Sequence, residues 1–570
     1  MRKNVAVAFA LALLASAQAG DRPAPRPAAA PTPRLAVVIV VDGLSWERLS
    51  SLRPWFTAGL KRLLDEGAVE TQCHYGHLNT ETGPGHASLA TGAPPRLHGI
   101  ALNQWYVPSP QGGAMATIYS ASQPLPGEPE NSEKAIQGPG RLRVATLGDR
   151  LVERYPDAKV VAISNKDRAA IFLAGRDRRH AAYWYSGKDG TYVTSAAYDA
   201  TSPAGAATAS VVARFNANKA GAKISGRLGT TWSRLPLPDP VPAFGFESGF
   251  TTYQDPVVGP VFPHQVDKGM RPFPSALLWT PLADRLLSDL AVDLLADDTL
   301  ALGRDDVPDL LEISFSANDH VSHFYGPDSV EELEVLRALD VQLGRLLDEL
   351  AKRLGQGRVV VAFSADHGFL PLPEATERRN PRARGRRVAD VKILNQLNEA
   401  VNRELKRAAG ATPLVYRLEG CSLWLDRAAL AVKGAPSPKR VLAIVRHELA
   451  TTWNDVVLRT LVVDASFPDR STDEVVQRAW NARVPGRSGD LFVVPRYGFL
   501  VDPYEGLGSS HGTPWEYDTH VPLIFWGGKI APRAISTAST PYDLAPTLGA
   551  RLGVDLPDAT GTRLELGNAK

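Results

Sequence analysis

Four mainly apolar runs punctuate the chain: LAVVIVV at Leu35–Val41, which is largely β-branched, AKVVAIS at 158–164, DLLEISF at Asp309–Phe315 and RVVVAFS at 358–364. The first of them is continuously apolar, with no alternation of apolar and polar positions. Near-continuous runs of this length predict strands buried on both faces of a parallel sheet. Between the third and fourth, VEELEVLRALDVQLGRLLDELAKRL (Val330–Leu354) repeats its leucines at helical spacing and has the length of a crossover helix. PWFTAGLKRLLDEG, at 54–67, predicts a shorter amphipathic helix closed by glycine, and residues 521–526 predict a last strand. The expected fold is α/β: a mostly parallel central sheet flanked by helices on both faces.

Two stretches break this rhythm. Residues 176–270 are rich in Gly, Ala and Pro with scattered aromatics, and read as an insertion above the sheet. Residues 373–500 form the second insertion, with helices expected at 392–408 and 439–451 and a solvated arginine-rich loop at 378–387. Together they would cap the carboxyl ends of the strands of one catalytic domain, 35–570. Ahead of it, residues 1–19 read as a signal peptide. Arg2 and Lys3 start it, an apolar run follows at 5–15, and Ala17-Gln18-Ala19 forms the cleavage pattern. Residues 20–34 are a Pro/Ala-rich linker. The mature chain is expected to be exported, periplasmic or secreted, with no stable membrane insertion, because no apolar run reaches a spanning length.

Charge narrows the partners. Lys+Arg number 63 against Asp+Glu 61, so no bulk field marks a nucleic-acid binder. Cys73 and Cys421 are the only cysteines, too few for a disulfide framework; a single pair and two separate buried thiols both remain open. No repeat of solenoid period is present.

The chemistry collects where the apolar runs stop. The first run ends in Asp42-Gly43, the second delivers Asn165-Lys166-Asp167-Arg168, and the third is followed by Asn318-Asp319-His320-Val321-Ser322-His323. The fourth runs into Asp366-His367-Gly368, and Ser510-His511-Gly512 precedes the last strand. Carboxyl ends of parallel strands are where open α/β sheets bind ligands. Asp319 and His323, four apart, would share one helix face. Asp42, Asp319, His323, Asp366, His367 and His511 offer nitrogen and oxygen donors in two sets, which suits two divalent ions of the borderline class, zinc foremost. A hydroxyl nucleophile is available in NTETGPGHASLATG at 79–92, a glycine-rich turn opening a helix whose N–H groups would face an anion. Spacing alone does not choose between Thr80 and Thr82. Asn103 suits either a turn or a contact to a phosphate oxygen, and Lys166 with Arg168 could hold non-bridging oxygens.

The series VVDG, TGPGH, SNKDR, SANDHVSH, SADHG and SHGTPWEYD, spanning residues 35–527, resembles the alkaline phosphatase superfamily, and within it the PafA-type, phosphate-irrepressible alkaline phosphatases. Nucleotide pyrophosphatase/phosphodiesterases are near cousins. The resemblance implies Thr82 as a nucleophile that becomes transiently phosphorylated. It implies one zinc on Asp319, His323 and His511, and a second on Asp42, Thr82, Asp366 and His367. It also implies phosphoryl contacts from Asn103, Lys166 and Arg168, the last two being what the monoesterases have and the diesterases generally lack. His86, His98, His320 and His520 match no ligand position and are expected to be structural. The activity implied is hydrolysis of small phosphate monoesters to inorganic phosphate by a monomeric two-zinc enzyme. The alternative is a phosphodiesterase or nucleotide pyrophosphatase using the same metals. A sulfatase is disfavoured, since no Cys/Ser-x-Pro-x-Arg pattern surrounds the nucleophile.

Overall fold

In the computed structural model the described residues are 33–107, 117–120, 138–237, 258–259, 261–269, 271–408, 410–469, 471–502 and 508–567. The expected signal peptide and nearly all of the linker lie outside them. Among the described residues, no helix is long and apolar enough to cross a membrane.

The apolar runs do form the sheet. Its strands are β1 (Leu35–Val41), β2 (Ala68–Glu70), β3 (Val160–Ser164), β4 (Ala181–Ser186), β5 (Thr191–Val193), β6 (Asp309–Phe315), β7 (Val359–Ser364), β8 (Leu523–Gly527) and β9 (Arg533–Ile535). They lie in the order β9-β2-β8-β7-β1-β6-β3-β4-β5. The middle, β7-β1-β6-β3-β4, is parallel throughout. β8 pairs antiparallel with β7 and with β2, and β5 pairs antiparallel with β4. Every residue of β1 is buried, because strands flank it on both sides and helices cover it. That burial is why the run could not alternate.

Helices α1 (Gly59–Glu66), α2 (Thr82–Thr91), α3 (Asp167–Ala174), α4 (Pro281–Ala296), α5 (Ala317–Tyr325) and α6 (Val330–Leu354) flank the sheet. The crossover helix α6 has its expected bounds, is capped by Ser329, and packs on α1 and α4. Gly59 and Gly344 let α1 and α6 touch backbone to backbone: a Cβ on Gly59 would meet the Gly344 nitrogen at 2.4 Å. The helix expected at 54–67 is divided, into a 3-10 turn at Arg53–Trp55 and α1. Asp340 of α6 causes the break, accepting from the N–H groups of Thr57, Ala58 and Leu60 and so fixing a helix start there.

The first stretch read as an insertion differs from expectation. β4 and β5, both inside 176–270, extend the sheet rather than lying above it. The second holds its own layer, an antiparallel sheet ordered Val415–Glu419, Ser422–Leu425, Leu491–Pro495, Val457–Val462. Helices Asp390–Glu404 and Pro438–Thr451 cover it, and Ile393, Leu397, Val401, Val441 and Val445 form a core separate from the main one. Asn79 bolts this layer to the main body: its Oδ1 accepts from Cys421 N at 2.9 Å and its Nδ2 donates to Ser422 Oγ at 3.0 Å. Cys73 and Cys421 are both buried and free, so the two-thiol alternative holds.

Candidate active site

Four adjacent parallel strands deliver the polar groups to one place. β1 leads into Asp42, β7 into Asp366 and His367, and β6 into α5 with Asp319 and His323; β3 leads into Lys166 and the start of α3. His511 arrives from the loop before β8. The structure groups these side chains as the two sets: Asp319, His323 and His511, and Asp42, Asp366 and His367, each with donor atoms within 4.8 Å of one another. Asp319 Oδ1 lies 3.4 Å from His323 Nε2, 3.7 Å from His511 Nε2 and 3.8 Å from His367 Nε2, so the two sets adjoin. Asp42 Oδ1 and Asp366 Oδ2 lie 3.4 and 3.6 Å from His367 Nε2.

The imidazoles are aimed. His367 Nδ1 donates to Gly368 O, His323 Nδ1 to Ser509 O and His511 Nδ1 to Thr80 O, at 2.9, 3.0 and 2.7 Å. Each such bond turns Nε2 toward the carboxylates, where a bound ion would take its lone pair. Asp366 Oδ1 is spent on the N–H groups of Gly43 and His367, which leaves Oδ2 facing inward. Asp42 Oδ1, Asp319 Oδ1, Asp366 Oδ2 and His367 Nε2 are all buried without a hydrogen-bond partner. Buried orphans of this kind are costly unless an ion satisfies them. The donor set therefore fits a pair of divalent cations bound through nitrogen and oxygen.

Lys166 stands against the same carboxylates, 6% exposed. Its ammonium is 2.7 Å from Asp42 Oδ2, closer still to Asp319 Oδ2, and 3.4 Å from Thr82 Oγ. Burial opposes the charge on Lys166, but Asp319 and Asp42 outweigh it and raise its pKa. Burial and Asp319 work to raise the Asp42 carboxyl; Lys166 and His367 overcome them and hold it below the usual range. His367 is pushed up to about 9, because Asp366, Asp42 and Asp319 outweigh its burial. His511, whose ring stacks on His367 at 3.6 Å, is driven down by burial and by the two neighbouring imidazoles. The corner thus gathers three buried carboxylates, Asp42, Asp319 and Asp366, around the Lys166 ammonium and the His367 imidazole, an excess of negative charge that a cation would complete.

Thr82 begins α2, and its oxygen is the hydroxyl of the glycine-rich turn that faces Lys166. Thr80 instead bonds Thr513 O at 3.3 Å. The helix N–H groups expected to meet an anion are partly spent. Gly83 N donates to Asn103 Oδ1 at 2.7 Å, Gly85 N to Glu81 O, and Pro84 has none. Asn103 takes the place of an anion at that helix start, which turns its NH2 group outward. Arg168 sits in the first turn of α3, beside Asp167 at 3.8 Å.

The family model described as type I phosphodiesterase / nucleotide pyrophosphatase matches residues 36–520. The chain belongs to that family. Alkaline phosphatase PafA of Elizabethkingia meningoseptica is 28% identical over 537 residues, covering 92% of each chain. Alkaline phosphatase PhoK of a Sphingomonas species is 29% identical over 547 residues, covering 92% of this chain and 89% of that protein. The crystal structure of PafA superposes with a TM-score of 0.81 at 26% identity, over 94% of this chain and 99% of that one. This protein is accordingly an alkaline phosphatase-like hydrolase of the phosphodiesterase/pyrophosphatase family, with two candidate metal-binding groups.

Several site residues were not anticipated. His86, expected to be structural, lies one helical turn after Thr82. Its Nδ1 is 2.8 Å from Thr82 O and 3.2 Å from Asp366 Oδ2, and its Nε2 is 2.7 Å from Ser314 Oγ. The i, i+4 spacing from Thr82 was its only signal. Above the two candidate metal-binding groups opens a cleft of about 410 Å³, lined among others by Glu81, Asn103, Trp279, Arg417, Glu419 and His511. Burial and the nearby Glu419 push Glu81 up to about 8. Among the described residues the His98 ring bonds Ser88 Oγ and Ile100 N, and the His520 ring bonds Thr71 O and stacks on His74.

Proposed function

We propose that this chain is an exported phosphomonoesterase that releases inorganic phosphate through a phosphothreonine at Thr82. The observation that carries it is the meeting of Thr82 Oγ and Lys166 Nζ, 3.4 Å apart, with both Asp/His groups at one buried corner. Two zinc ions, one on Asp319, His323 and His511 and one on Asp42, Thr82, Asp366 and His367, would lower the pKa of the hydroxyl and neutralise the leaving oxygen.

The remaining work falls to the chain. A monoester dianion presents three non-bridging oxygens, and the donors that suit them are the Asn103 NH2, the Lys166 ammonium and the Arg168 guanidinium. The α3 start, behind Lys166 and Arg168, adds the positive end of its dipole. Thr82 Oγ attacks phosphorus in line with the ester oxygen. The Thr82 hydroxyl gives up its proton to solvent as the Oγ–P bond forms and the ester P–O bond breaks, and the departing oxygen takes a proton from solvent. Water then attacks the same phosphorus, the Oγ–P bond breaks, and phosphate and the Thr82 hydroxyl are restored.

Hydrolysis of diesters is the second reading, favoured by the description of the matching family model. The deciding experiment measures metal content and kcat/KM for p-nitrophenyl phosphate and for bis-p-nitrophenyl phosphate on the purified chain. Two zinc per chain, activity lost on chelation and regained with zinc, and a strong monoester preference are expected. A diester preference would replace the first reading with the second, and turnover undiminished by complete metal removal would overturn both.

A further inference from the structure

Glu81 precedes the proposed nucleophile, yet its side chain does not cap the helix it introduces. Its backbone is extended, with φ −128° and ψ 166°. The carboxylate turns away from α2 and accepts from the backbone N–H of Asn103, 22 residues further on, at 2.7 Å. Asn103 Oδ1 in turn accepts from Gly83 N at 2.7 Å. The two residues flanking Thr82 thus grip Asn103 at two points: the Glu81 carboxyl oxygen accepts from the Asn103 main-chain N–H, and the Gly83 N–H donates to the Asn103 side chain. With the main-chain N–H and Oδ1 both committed, the loop position and the side-chain torsion of Asn103 are set. Only the NH2 group is left to turn toward the cleft.

The cap closes over this clamp. Gly420, in the turn between cap strands Val415–Glu419 and Ser422–Leu425, has φ +53°, and a Cβ there would meet Asn79 Oδ1 at 3.0 Å and Glu81 Oε1 at 3.1 Å. Glu81 is 7% exposed, with one oxygen on Asn103 and the other under that turn. A polar side chain buried this deeply costs free energy unless its hydrogen bond repays it, and the bond Glu81 makes is the one to Asn103 N.

We propose that Glu81 is a positioning residue for phosphoryl transfer: by accepting the Asn103 N–H it holds the Asn103 amide at the distance from Thr82 that a non-bridging phosphate oxygen requires. This rests on Asn103 contacting that oxygen, as the proposed function has it. None of the clamp's hydrogen bonds is made by an Asp or His of the two candidate metal groups, so loss of Glu81 is expected to leave metal content in place and to act through Asn103.

The test is a double-mutant cycle on the zinc-loaded full chain, reading kcat/KM for p-nitrophenyl phosphate, inhibition by inorganic phosphate and bound zinc. Asn103→Ala is expected to lower kcat/KM roughly 10- to 100-fold, the range for a hydrogen bond to a charged oxygen. Glu81→Ala is expected to lower it about tenfold with zinc unchanged, but less than about twofold further in the Asn103→Ala background. Glu81→Gln keeps an acceptor oxygen at the same reach and is expected to restore most of the activity and of the affinity for phosphate. It also serves if Glu81→Ala fails to fold. Additive losses in the double variant, or a Glu81→Gln as impaired as Glu81→Ala, would overturn the positioning role while leaving Asn103 in the mechanism. An Asn103→Ala without effect would overturn both.

Discussion

Replacing Lys166 and Arg168 together with alanine separates monoester from diester chemistry more sharply than any other change. Lys166 is buried against Asp42 and Asp319 with Thr82 Oγ 3.4 Å away, and Arg168 follows it in the first turn of α3. A charge-assisted hydrogen bond contributes about 1.5–3 kcal/mol. At ~1.4 kcal/mol per tenfold, two such contacts to the dianion amount to about 10²- to 10⁴-fold in kcat/KM. Contacts to one phosphoryl group share a network, so the lower half of that range is expected. A diester carries an organic group in place of one oxygen and one negative charge less. It forfeits at most one contact, about tenfold. Lys166 also neutralises Asp42 and Asp319, so its loss could disturb the metal groups themselves, but that damage would fall on both substrates alike. The assay is kcat/KM for p-nitrophenyl phosphate and bis-p-nitrophenyl phosphate on one preparation of each variant, with zinc measured in parallel. Equal losses on the two substrates, at unchanged zinc, would refute the assignment of Lys166 and Arg168 to the dianion.

Thr82→Ala is expected to abolish steady-state turnover with most bound zinc retained, while Thr82→Ser keeps measurable activity. Phosphorylated protein trapped by acid quench should appear in the wild type and be missing in Thr82→Ala. A distinct pH signature is expected from Asp284, which supports the loop and helix that carry Lys166 and Asp319. Its Oδ1 accepts from Asn165 Nδ2 and from the N–H groups of Ser316 and Ala317, while Oδ2 is buried without a hydrogen-bond partner. Burial lifts this carboxyl from an ordinary 3.8 to about 7. A raised carboxyl binds its proton more tightly when folded, so its stabilising contribution is complete below pH ~4 and drains away as pH rises to about 7. The loss is at most about 4 kcal/mol at ~1.4 kcal/mol per unit. Asp284→Asn keeps the accepting oxygen, so its unfolding free energy, measured by urea titration, should lack that part of the decline between pH 4 and 7. An unchanged slope would assign the titration elsewhere.

What was legible in the chain, and what was not, divides by how far apart in sequence the interacting groups lie. Strands β1, β3, β6 and β7 announced themselves because a strand flanked and covered on both faces is mainly apolar, β6 being the one that buries Asp309, Glu312 and Ser314 among its apolar residues. Since parallel neighbours all end on one edge, the polar residues just past them had to converge. Asp42, Lys166, Asp319, Asp366 and His367 followed from that topology without any contact being known. β4 escaped notice because AAYWYS sits in a Gly-, Ala- and Pro-rich stretch, and its place at the sheet is decided by pairing with β3, not by its own pattern. The supports of the site were equally hidden. Glu81 meets Asn103 across 22 residues, Asn79 meets Cys421 across 342, and Asp340 breaks a helix 280 residues upstream. No local period encodes such bonds; each exists only once the sheet and cap have brought the segments together. The same reasoning explains the one chemical expectation that changed. A helix start with Gly-Pro-Gly reads as an anion site when only its own N–H groups are counted, but Asn103 Oδ1 reaches Gly83 N first. The turn therefore presents a side-chain amide instead of a bare backbone donor, and a side-chain donor needs a partner such as Glu81 to hold it still.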